Sequence, residues 1–430
     1  MSATPARRLA LRALVQVNRG GETLADVLSD PGAARLDPRE RGFLHELTLG
    51  TLRWRGLLDH ALAPLVDRPL SRLDPLALDI LRLGAHQMLH LRVPDRATVS
   101  QSVELAKETA PRAAGFVNAV LRKLAHVGPP PLPDPDADPR GWLTTAGSLP
   151  AWIAERWIGQ LGSAVAVARA RAFLSPSPTT VRLNPRIEGA AERCREAGLE
   201  LRPLTVPGAF VAEGGRPTEL ASEGILYAQD QGSQLVAHLA AAPGHAFDAC
   251  AAPGGKSTLM ADLVGDHGRV IAAEASAKRL RTMADLVRRW ASPNVRLVLA
   301  DANQPPFGPS FDTVLLDAPC TGLGTLGRNP DIRWRLRPED VGRQATRQKR
   351  LLAAVARLVR PGGRLVYATC SLDDEETTAV VKEFLGTRPG FQPSSAPEWA
   401  RAFADGDGFL RTRPERVPAD GFFVAALERA

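Results

Sequence analysis

The stretch Ala-Phe-Asp-Ala-Cys-Ala-Ala-Pro-Gly-Gly-Lys at 246–256 decides the fold of this chain. An apolar run ends there in two glycines and a lysine, and a helix-like apolar pattern follows at 257–263. This order predicts a strand, a tight turn and a helix. Such a turn presents backbone N–H groups and a helix N-terminus to a ligand, and glycine lets the ligand approach because it has no Cβ. The stretch therefore predicts a ligand-binding turn.

A triphosphate-binding loop is one competing interpretation of this turn, because Gly255-Lys256-Ser257 matches the end of the G-x-x-x-x-G-K-[ST] pattern. That pattern also requires a glycine five positions before its second glycine. The chain has Cys250 at that position. The spacing therefore argues against a triphosphate site.

Four further apolar runs end in polar or reactive groups, and each is predicted to be a strand. They are 269–274 with Glu274 at its end, 295–301 with Asp301, 311–317 with Asp317-Ala-Pro-Cys320, and 364–371 with Thr-Cys370-Ser. Ligands in open α/β sheets bind beyond the carboxyl ends of the strands, and a ribose-binding carboxylate lies about 20 residues beyond the glycine turn. The pattern predicts a Rossmann-like α/β domain whose strand ends meet at one crevice.

The remainder of the chain predicts a multidomain protein. Apolar residues at i, i+3 and i+4 spacing predict helices over 6–17, 38–59, 75–90 and 99–123. Closely spaced prolines and a change of composition give the following predicted divisions. They are an all-α N-terminal domain at 1–127, a Pro-rich linker at 128–147, a small α+β connector at 148–226, and the Rossmann-like domain at 227–430, which ends in an antiparallel hairpin formed by 409–413 and 421–427.

Composition narrows the class of protein. The 430 residues are 44% hydrophobic and 23% charged, as in ordinary soluble domains, and no run of 18 apolar residues predicts a membrane span. The four cysteines, Cys194, Cys250, Cys320 and Cys370, form no C-x-x-C pair, so no metal site is predicted. The sparse cysteines and the absence of a signal sequence indicate a reducing, cytoplasmic compartment.

The net charge of +7 favours a polyanionic partner, although charge alone says nothing about fold. Two groups of arginines are candidates for contact with phosphate, and solvated surface is the alternative for both. They are Arg39, Arg41, Arg53 and Arg55 in the N-terminal helices, and Arg328, Arg333, Arg335 and Arg337 after Cys320.

Cys320 and Cys370 follow two predicted strands and are the strongest candidates for covalent chemistry. A thiolate is a strong nucleophile even when only a small fraction of the thiol is ionised. The alternative is that both are small side chains that fill space. A thiolate, a carboxylate and a Rossmann-like pocket suit methylation of a pyrimidine at carbon 5: thiolate addition to carbon 6 makes carbon 5 nucleophilic, and a base later removes its proton.

Three motifs carry a family resemblance. They are Asp-Ala-Cys-Ala-Ala-Pro-Gly-Gly-Lys at 248–256, Asp-Ala-Pro-Cys-Thr-Gly-Leu-Gly-Thr-Leu-Gly-Arg-Asn-Pro-Asp-Ile-Arg-Trp at 317–334, and Tyr-Ala-Thr-Cys-Ser at 367–371. They resemble the signatures of RNA cytosine-5 methyltransferases, and most of all the bacterial Sun/RsmB type of the NOP/Sun family. The helical region resembles a NusB-like RNA-binding domain through Ile-Leu-Arg-Leu-Gly at 80–84 and Phe-Val-Asn-Ala-Val-Leu-Arg at 116–122.

The resemblance implies S-adenosylmethionine as cofactor, 16S ribosomal RNA as partner and a monomeric enzyme. It implies that Cys370 is the nucleophile and that Cys320 acts in proton removal and product release. It also implies that Asp317 contacts the target base or the cofactor. The implied cofactor-binding residues are Cys250, Ala251, Ala252, Pro253, Gly254, Gly255, Lys256, Glu274 at the ribose, Asp301 at the adenine, and Asp317.

Several points stay open at this stage. Glu274 stands where the family usually has Asp, and its longer side chain is still expected to reach a diol. In DNA cytosine-5 methyltransferases the cysteine of a Pro-Cys motif is the nucleophile, and that analogy would select Cys320 instead. The role of the 414–420 loop is undetermined. Transfer RNA as the substrate, and a non-catalytic ribosome assembly factor, are the alternative functions.

Overall fold

The computed structural model describes residues 2–19, 24, 28, 31–91, 93–175, 177–265 and 267–430. They form two compact units. Unit 1 comprises the chain up to residue 176 together with the segment Leu326–Leu336, and unit 2 comprises Ser177–Thr325 and Arg337–Ala430. Within the described ranges, no helix is long and apolar enough to cross a membrane.

Unit 1 is helical, as the apolar spacing predicted. Its main helices are α1 (Pro5–Arg19), α2 (Pro38–Arg53), α3 (Arg55–Leu62), α4 (Pro75–Leu89), α5 (Asp95–Thr109), α6 (Ala114–Val127), α7 (Pro139–Thr144), α8 (Ala151–Leu161) and α9 (Ser163–Leu174). Asp-Pro pairs start α2 and α4, because the aspartate side chain accepts from a first-turn N–H and proline needs no partner there. The leucines of α1, α2, α4 and α6 form one core.

The predicted single helix at 38–59 is two helices, and this changes the surroundings of two predicted RNA contacts. The break falls at Trp54, whose ring stacks on His90 with centroids 4.4 Å apart. Arg53 is buried and donates from Nη2 to the carbonyl of Gly327, and Arg55 stacks over the Trp334 ring at 4.8 Å. The prediction that Arg53 contacts phosphate is therefore wrong, whereas Arg55 is half-buried.

The segment Leu326–Leu336 packs within unit 1, and it holds most of the second predicted group of arginines. Arg333 is 1% exposed and donates to the carbonyls of Ser148 and Leu326, each at 3.1 Å. Trp334 donates from Nε1 to the Leu52 carbonyl at 2.7 Å. Arg335 pairs with Asp331 at 2.9 Å. Arg333 is thus a structural residue of unit 1, and the prediction that it contacts phosphate is wrong.

Helices α7, α8 and α9 lie in unit 1, whereas the sequence placed 148–226 in a separate connector and 128–147 in a linker. The Gly56 N–H at the start of α3 donates to Ser148 Oγ at 2.9 Å, and the three helices pack on one another: Trp157 is buried with its ring centroid 5.9 Å from that of Phe173. The Arg171 guanidinium also covers the Trp142 ring at 5.1 Å. The division between the compact units falls at 176/177.

The first part of unit 2 is a small antiparallel sheet in the order β2-β3-β1-β4. Its strands are β1 (Thr180–Leu183), β2 (Leu199–Pro203), β3 (Phe210–Gly214) and β4 (Leu226–Ala228), with helices α10 (Ala190–Glu196) and α11 (Pro217–Ser222). These elements fit the α+β character that the sequence predicted here, and β3 and β4 are short strands that alternate weakly between apolar and polar residues.

The main sheet of unit 2 has the order β10-β12-β9-β8-β5-β6-β7, with β11 paired to β12. Its strands are β5 (His245–Asp248), β6 (Arg269–Glu274), β7 (Val295–Leu299), β8 (Phe311–Asp317), β9 (Val359–Thr369), β10 (Phe391–Pro393), β11 (Leu410–Thr412) and β12 (Phe422–Arg429), and its main helices are α12 (Gln231–Ala240), α13 (Gly255–Val264), α14 (Ala277–Trp290), α15 (Pro338–Ala356) and α16 (Thr378–Thr387).

The pairing within this sheet confirms the Rossmann-like prediction. Strands β5 to β9 pair in parallel, and β12 pairs antiparallel with β9, β10 and β11, so the predicted terminal hairpin is also confirmed. From β5 the chain adds β6 and β7 on one side of that strand, and it then adds β8 and β9 on the other side. This change of direction opens a crevice at the carboxyl ends of β5 and β8.

Candidate active site

The glycine turn that follows β5 is held close to the sheet. The Ala249 N–H donates to the Leu315 carbonyl and the Ala251 N–H to the Ala273 carbonyl, both at 2.9 Å. Gly254 has φ of +107°, in the left-handed region that favours glycine. A Cβ at Gly255 would come within 2.7 Å of the Tyr227 ring. The turn therefore requires both glycines, and α13 begins directly behind it.

Glu274, at the end of β6, has a buried carboxylate that is fixed from two sides. Oε1 accepts from the Ser276 N–H at 2.9 Å, and Oε2 pairs with Arg279 Nη1 at 3.1 Å. Arg279 also donates from Nη2 to the carbonyl of Ala252 at 2.9 Å. Arg279 thus ties the predicted ribose carboxylate to the predicted cofactor turn, a link that no sequence spacing indicated.

Asp301 lies in the loop after β7 and is exposed. Its Oδ1 accepts from the backbone N–H and the side-chain amide of Asn303, each at 2.9 Å. The hydrogen bonds from Asn303 lower the pKa of the Asp301 carboxyl below its ordinary value. The sequence prediction that a carboxylate follows this strand is correct, and Asp301 is a negatively charged acceptor at neutral pH.

Asp317 and Lys256 form an ion pair where the glycine turn meets the end of β8. Lys256 Nζ donates to Asp317 Oδ2 at 2.7 Å. Burial opposes the charge of Lys256, but Asp317, Cys370 and Asp248 outweigh it, so the pKa of Lys256 is raised. The lysine is therefore a stable cation that favours negative charge on its neighbours.

Cys320 and Cys370, predicted from separate motifs, are brought together. Their Sγ atoms are 3.2 Å apart. The pKa of the Cys320 thiol is raised well above its ordinary value, first by the hydrogen bond with Cys370 and then by burial. Cys320 accordingly keeps its proton, and the two sulfurs lie within hydrogen-bonding distance of one another.

The backbone around the two thiols is also interlocked. The Gly324 N–H donates to the Cys370 carbonyl at 2.9 Å, and the Gly421 N–H donates to the Gly324 carbonyl at 2.6 Å. A Cβ at Gly324 would come within 2.0 Å of the Gly421 carbonyl oxygen, so this contact requires glycine. The Asp-Gly motif at 420–421 thus supports the turn that follows Cys320.

The other two cysteines are poor nucleophiles. Burial first, and then the charges of Asp248, Asp317 and Glu274, raise the pKa of Cys250 to about 12. Burial raises the pKa of Cys194 as well. The raised pKa values disfavour the reactive thiolate form at both Cys250 and Cys194.

Two buried groups near the site were missed from sequence. Arg182 on β1 donates to Thr258 Oγ1 at 2.7 Å and to the Gly255 carbonyl at 3.2 Å, so it supports the start of α13. Glu376 accepts from the Thr321 N–H at 2.8 Å. A charged residue within the apolar run 181–183 was a usable signal for Arg182, whereas Glu376 stands in an acidic stretch typical of surface.

Comparison with known proteins agrees with this geometry. The model of the 16S rRNA methyltransferase RsmB/F family matches residues 237–428, and the NusB family model matches residues 4–126. The probable ribosomal RNA small subunit methyltransferase B of Bacillus subtilis is 32% identical over all of both chains. The ribosomal RNA small subunit methyltransferase B of Thermus thermophilus is 37% identical over 100% of this chain and 99% of its own.

This chain belongs to the RsmB/F methyltransferase family. Its N-terminal helices match the NusB family, as the sequence motifs predicted. Among solved structures, the crystal structure of PH0851 has a TM-score of 0.80 at 26% identity over all of both chains. A methyltransferase homologue from Pyrococcus horikoshii has a TM-score of 0.56 at 25% identity, covering 66% of this chain and 97% of its own.

Proposed function

We propose that this RsmB/F-family protein methylates carbon 5 of a cytosine in 16S ribosomal RNA, through a transient bond between Cys370 and carbon 6. The observation that supports this most directly is the thiol pair, with 3.2 Å between Cys320 Sγ and Cys370 Sγ. The pair follows strands β8 and β9, and the cation that favours negative charge there, Lys256, is hydrogen-bonded to Asp317.

The cofactor site in this proposal is the crevice between the glycine turn and the ends of β6 to β8. The turn at 250–256, Glu274, Asp301 and Asp317 would hold S-adenosylmethionine. The fit is chemical: backbone N–H groups and small residues allow close approach, and a fixed carboxylate suits a ribose diol. When bound, the cofactor supplies an electrophilic methyl group.

Cys370 is the proposed nucleophile because its Thr-Cys-Ser motif resembles the family signature, and its sulfur lies 3.2 Å from that of Cys320. Addition of the Cys370 thiolate to carbon 6 forms the carbon–sulfur bond and moves an electron pair toward the ring. Nitrogen 3 takes up a proton as this occurs. The Lys256–Asp317 pair can deliver that proton, because the ammonium and the carboxylate share a hydrogen bond of 2.7 Å.

Cys320 is the proposed base that removes the proton from carbon 5 after methyl transfer. After methyl transfer, carbon 5 must lose its hydrogen as a proton, and the electron pair then restores the double bond while the carbon–sulfur bond to Cys370 breaks. The first cause of the high Cys320 pKa is its hydrogen bond to Cys370. That cause weakens when Cys370 sulfur is bonded to carbon. Cys320 can then lose its proton to water and act as base.

The proposal also covers how the RNA is bound and where the protein acts. The target base would have to leave its stack to reach Cys370, and single-stranded RNA makes this easier. The NusB-like helices at 1–127 are the proposed RNA-binding domain, and the exposed Arg39 and Arg337 remain candidate phosphate contacts. The monomeric state and the cytoplasmic location belong to the same proposal.

Incubation with methyl-labelled S-adenosylmethionine and separate RNA pools tests the function. Unmodified 16S ribosomal RNA is expected to take up label, and bisulfite sequencing is expected to find the label at one resistant cytidine. Label in the transfer RNA pool alone would mean that transfer RNA, and not 16S ribosomal RNA, is the substrate. Absence of label from every pool, with normal RNA binding, would favour the assembly-factor alternative.

A further inference from the structure

Glu376 is a buried carboxyl group that the mechanism above does not use. It ends the turn Asp374–Glu376, a few residues beyond Cys370, and its side chain is fully buried. Oε1 accepts from the Thr321 N–H at 2.8 Å and from Gln348 Nε2 at 3.0 Å, and Oε2 accepts from the Thr321 hydroxyl. The burial raises its pKa. Burying a carboxyl group costs free energy, so its retention here indicates a specific role.

Its partners lie directly beside the two cysteines. Thr321 follows Cys320, and its hydroxyl lies 3.4 Å from the hydroxyl of Ser371, which follows Cys370. Gln348 also donates to the carbonyl of Pro319, which precedes Cys320, at 3.0 Å. The Glu376 carboxyl and Gln348 therefore hold the backbone on both sides of Cys320.

The backbone carbonyl of Glu376 is also held by a hydrogen bond. The buried Tyr367 on β9 donates its hydroxyl to the Glu376 carbonyl at 2.6 Å. This bond anchors the turn to β9, the strand that Cys370 follows. Glu376 thus joins the Cys320 turn to the end of β9 by hydrogen bonds from both of its ends.

We propose that Glu376 is a positioning residue that sets the separation of the Cys320 and Cys370 thiols. Its hydrogen bonds are to Thr321 and Gln348, and it acts through them. The role rests on the proposed cysteine chemistry. An error of about 1 Å in a reacting group can cost on the order of 100-fold in rate.

A proton-carrying role is the competing explanation, and Glu376→Gln separates the two. A glutamine can keep its oxygen at the Thr321 N–H and Gln348, while its amide donates to the Thr321 hydroxyl, which can turn to donate to Ser371. Glu376→Ala removes every acceptor. The matched control is Glu375→Ala, because Glu375 is the adjacent residue and is exposed.

Two measurements test the proposal. The first is the single-turnover rate of covalent adduct formation with RNA that contains 5-fluorocytidine. The second needs no RNA: it is the rate at which diamide, a dithiol oxidant, links Cys320 to Cys370, measured by mass spectrometry of the peptides. Positioning predicts that Glu376→Ala slows the adduct about 100-fold and slows the cross-link about tenfold or more, whereas Glu376→Gln recovers most of both rates and Glu375→Ala matches the wild type.

The outcomes are distinct. Wild-type rates in Glu376→Ala would overturn the proposal, and so would a Glu376→Gln variant that cross-links normally but forms no adduct, since that result means proton transfer. If Glu376→Ala does not fold, Gln348→Ala removes one half of the bridge and must slow the cross-link. A wild-type protein that forms no RNA adduct at all would reject the proposed function, while the cross-link rates would still decide the positioning role.

Discussion

Asp248, the first residue of the 248–256 motif, gives a prediction with a calculable magnitude. It is buried at the end of β5 and accepts from Ser257 Oγ at 2.7 Å. Burial raises its pKa from 3.8 to about 7. The difference of about 3 pKa units corresponds to about 4 kcal/mol against the ionised native state. We expect Asp248→Asn, which stays neutral, to avoid that penalty.

The sign of the pH dependence follows from this raised pKa. Well below pH 4 both the folded and unfolded protein hold the proton, so ionisation costs nothing. As pH rises from about 4 to 7, the unfolded chain ionises first and the native state loses stability. The free energy of unfolding of Asp248→Asn, relative to wild type, should therefore increase by about 3 kcal/mol between pH 5 and pH 8.

Denaturant unfolding at several pH values measures this difference. Asp312→Asn is the control: burial opposes the charge of Asp312, but hydrogen bonds from the His245 N–H and Arg360 outweigh it and lower its pKa. Most of its contribution to stability is present by pH 5, so the deficit of Asp312→Asn should change by less than about 1 kcal/mol from pH 5 to pH 8. A constant difference for Asp248→Asn over the same range would refute the reasoning.

Three further predictions follow from the contacts described above. Cys320→Ala should accumulate covalently bound RNA, because Cys370 survives while the proposed base is lost; free turnover on gels that resolve the adduct would contradict this. Arg279→Ala should raise the KM for S-adenosylmethionine severalfold with a smaller effect on kcat, because Glu274 and the Ala252 carbonyl lose a shared partner; equal KM values in steady-state assays would disprove that link. Arg333→Met should lower the free energy of unfolding by about 2–3 kcal/mol, because buried carbonyls lose a charged donor, and it should leave the salt dependence of RNA binding unchanged. Neutralising the exposed Arg337 should instead reduce the slope of log affinity against log salt concentration by about 1 if Arg337 contacts phosphate. A changed slope in Arg333→Met would mean that Arg333 does contact RNA.

Much of unit 2 could be predicted from sequence because the signals are local. Each parallel strand is an apolar run that ends in a polar group, so Glu274, Asp317 and Cys370 could be assigned to strand ends. The convergence of Cys320 and Cys370 followed from the rule that carboxyl ends of parallel strands share an edge. Their separation of 3.2 Å required the structure.

The features that were missed depend on contacts between distant parts of the chain. Arg333 looked like a surface residue, yet it donates to Ser148, 185 residues away in sequence. Glu376 contacts Thr321 across 55 residues, and Arg182 contacts Thr258 across 76. Hydrophobic periodicity carries no information about such partners. The same limit explains the missed break at Trp54, where stacking against His90 replaces a local helix-ending signal.

The central claim is that Cys370 forms the bond to the pyrimidine. The most direct measurement is mass spectrometry of the peptide that remains attached to RNA containing 5-fluorocytidine at the target position, after reaction with S-adenosylmethionine. The account predicts one adduct, on Cys370, that is lost in Cys370→Ala and retained in Cys320→Ala. An adduct on Cys320, or full methylation activity in Cys370→Ala, would contradict it.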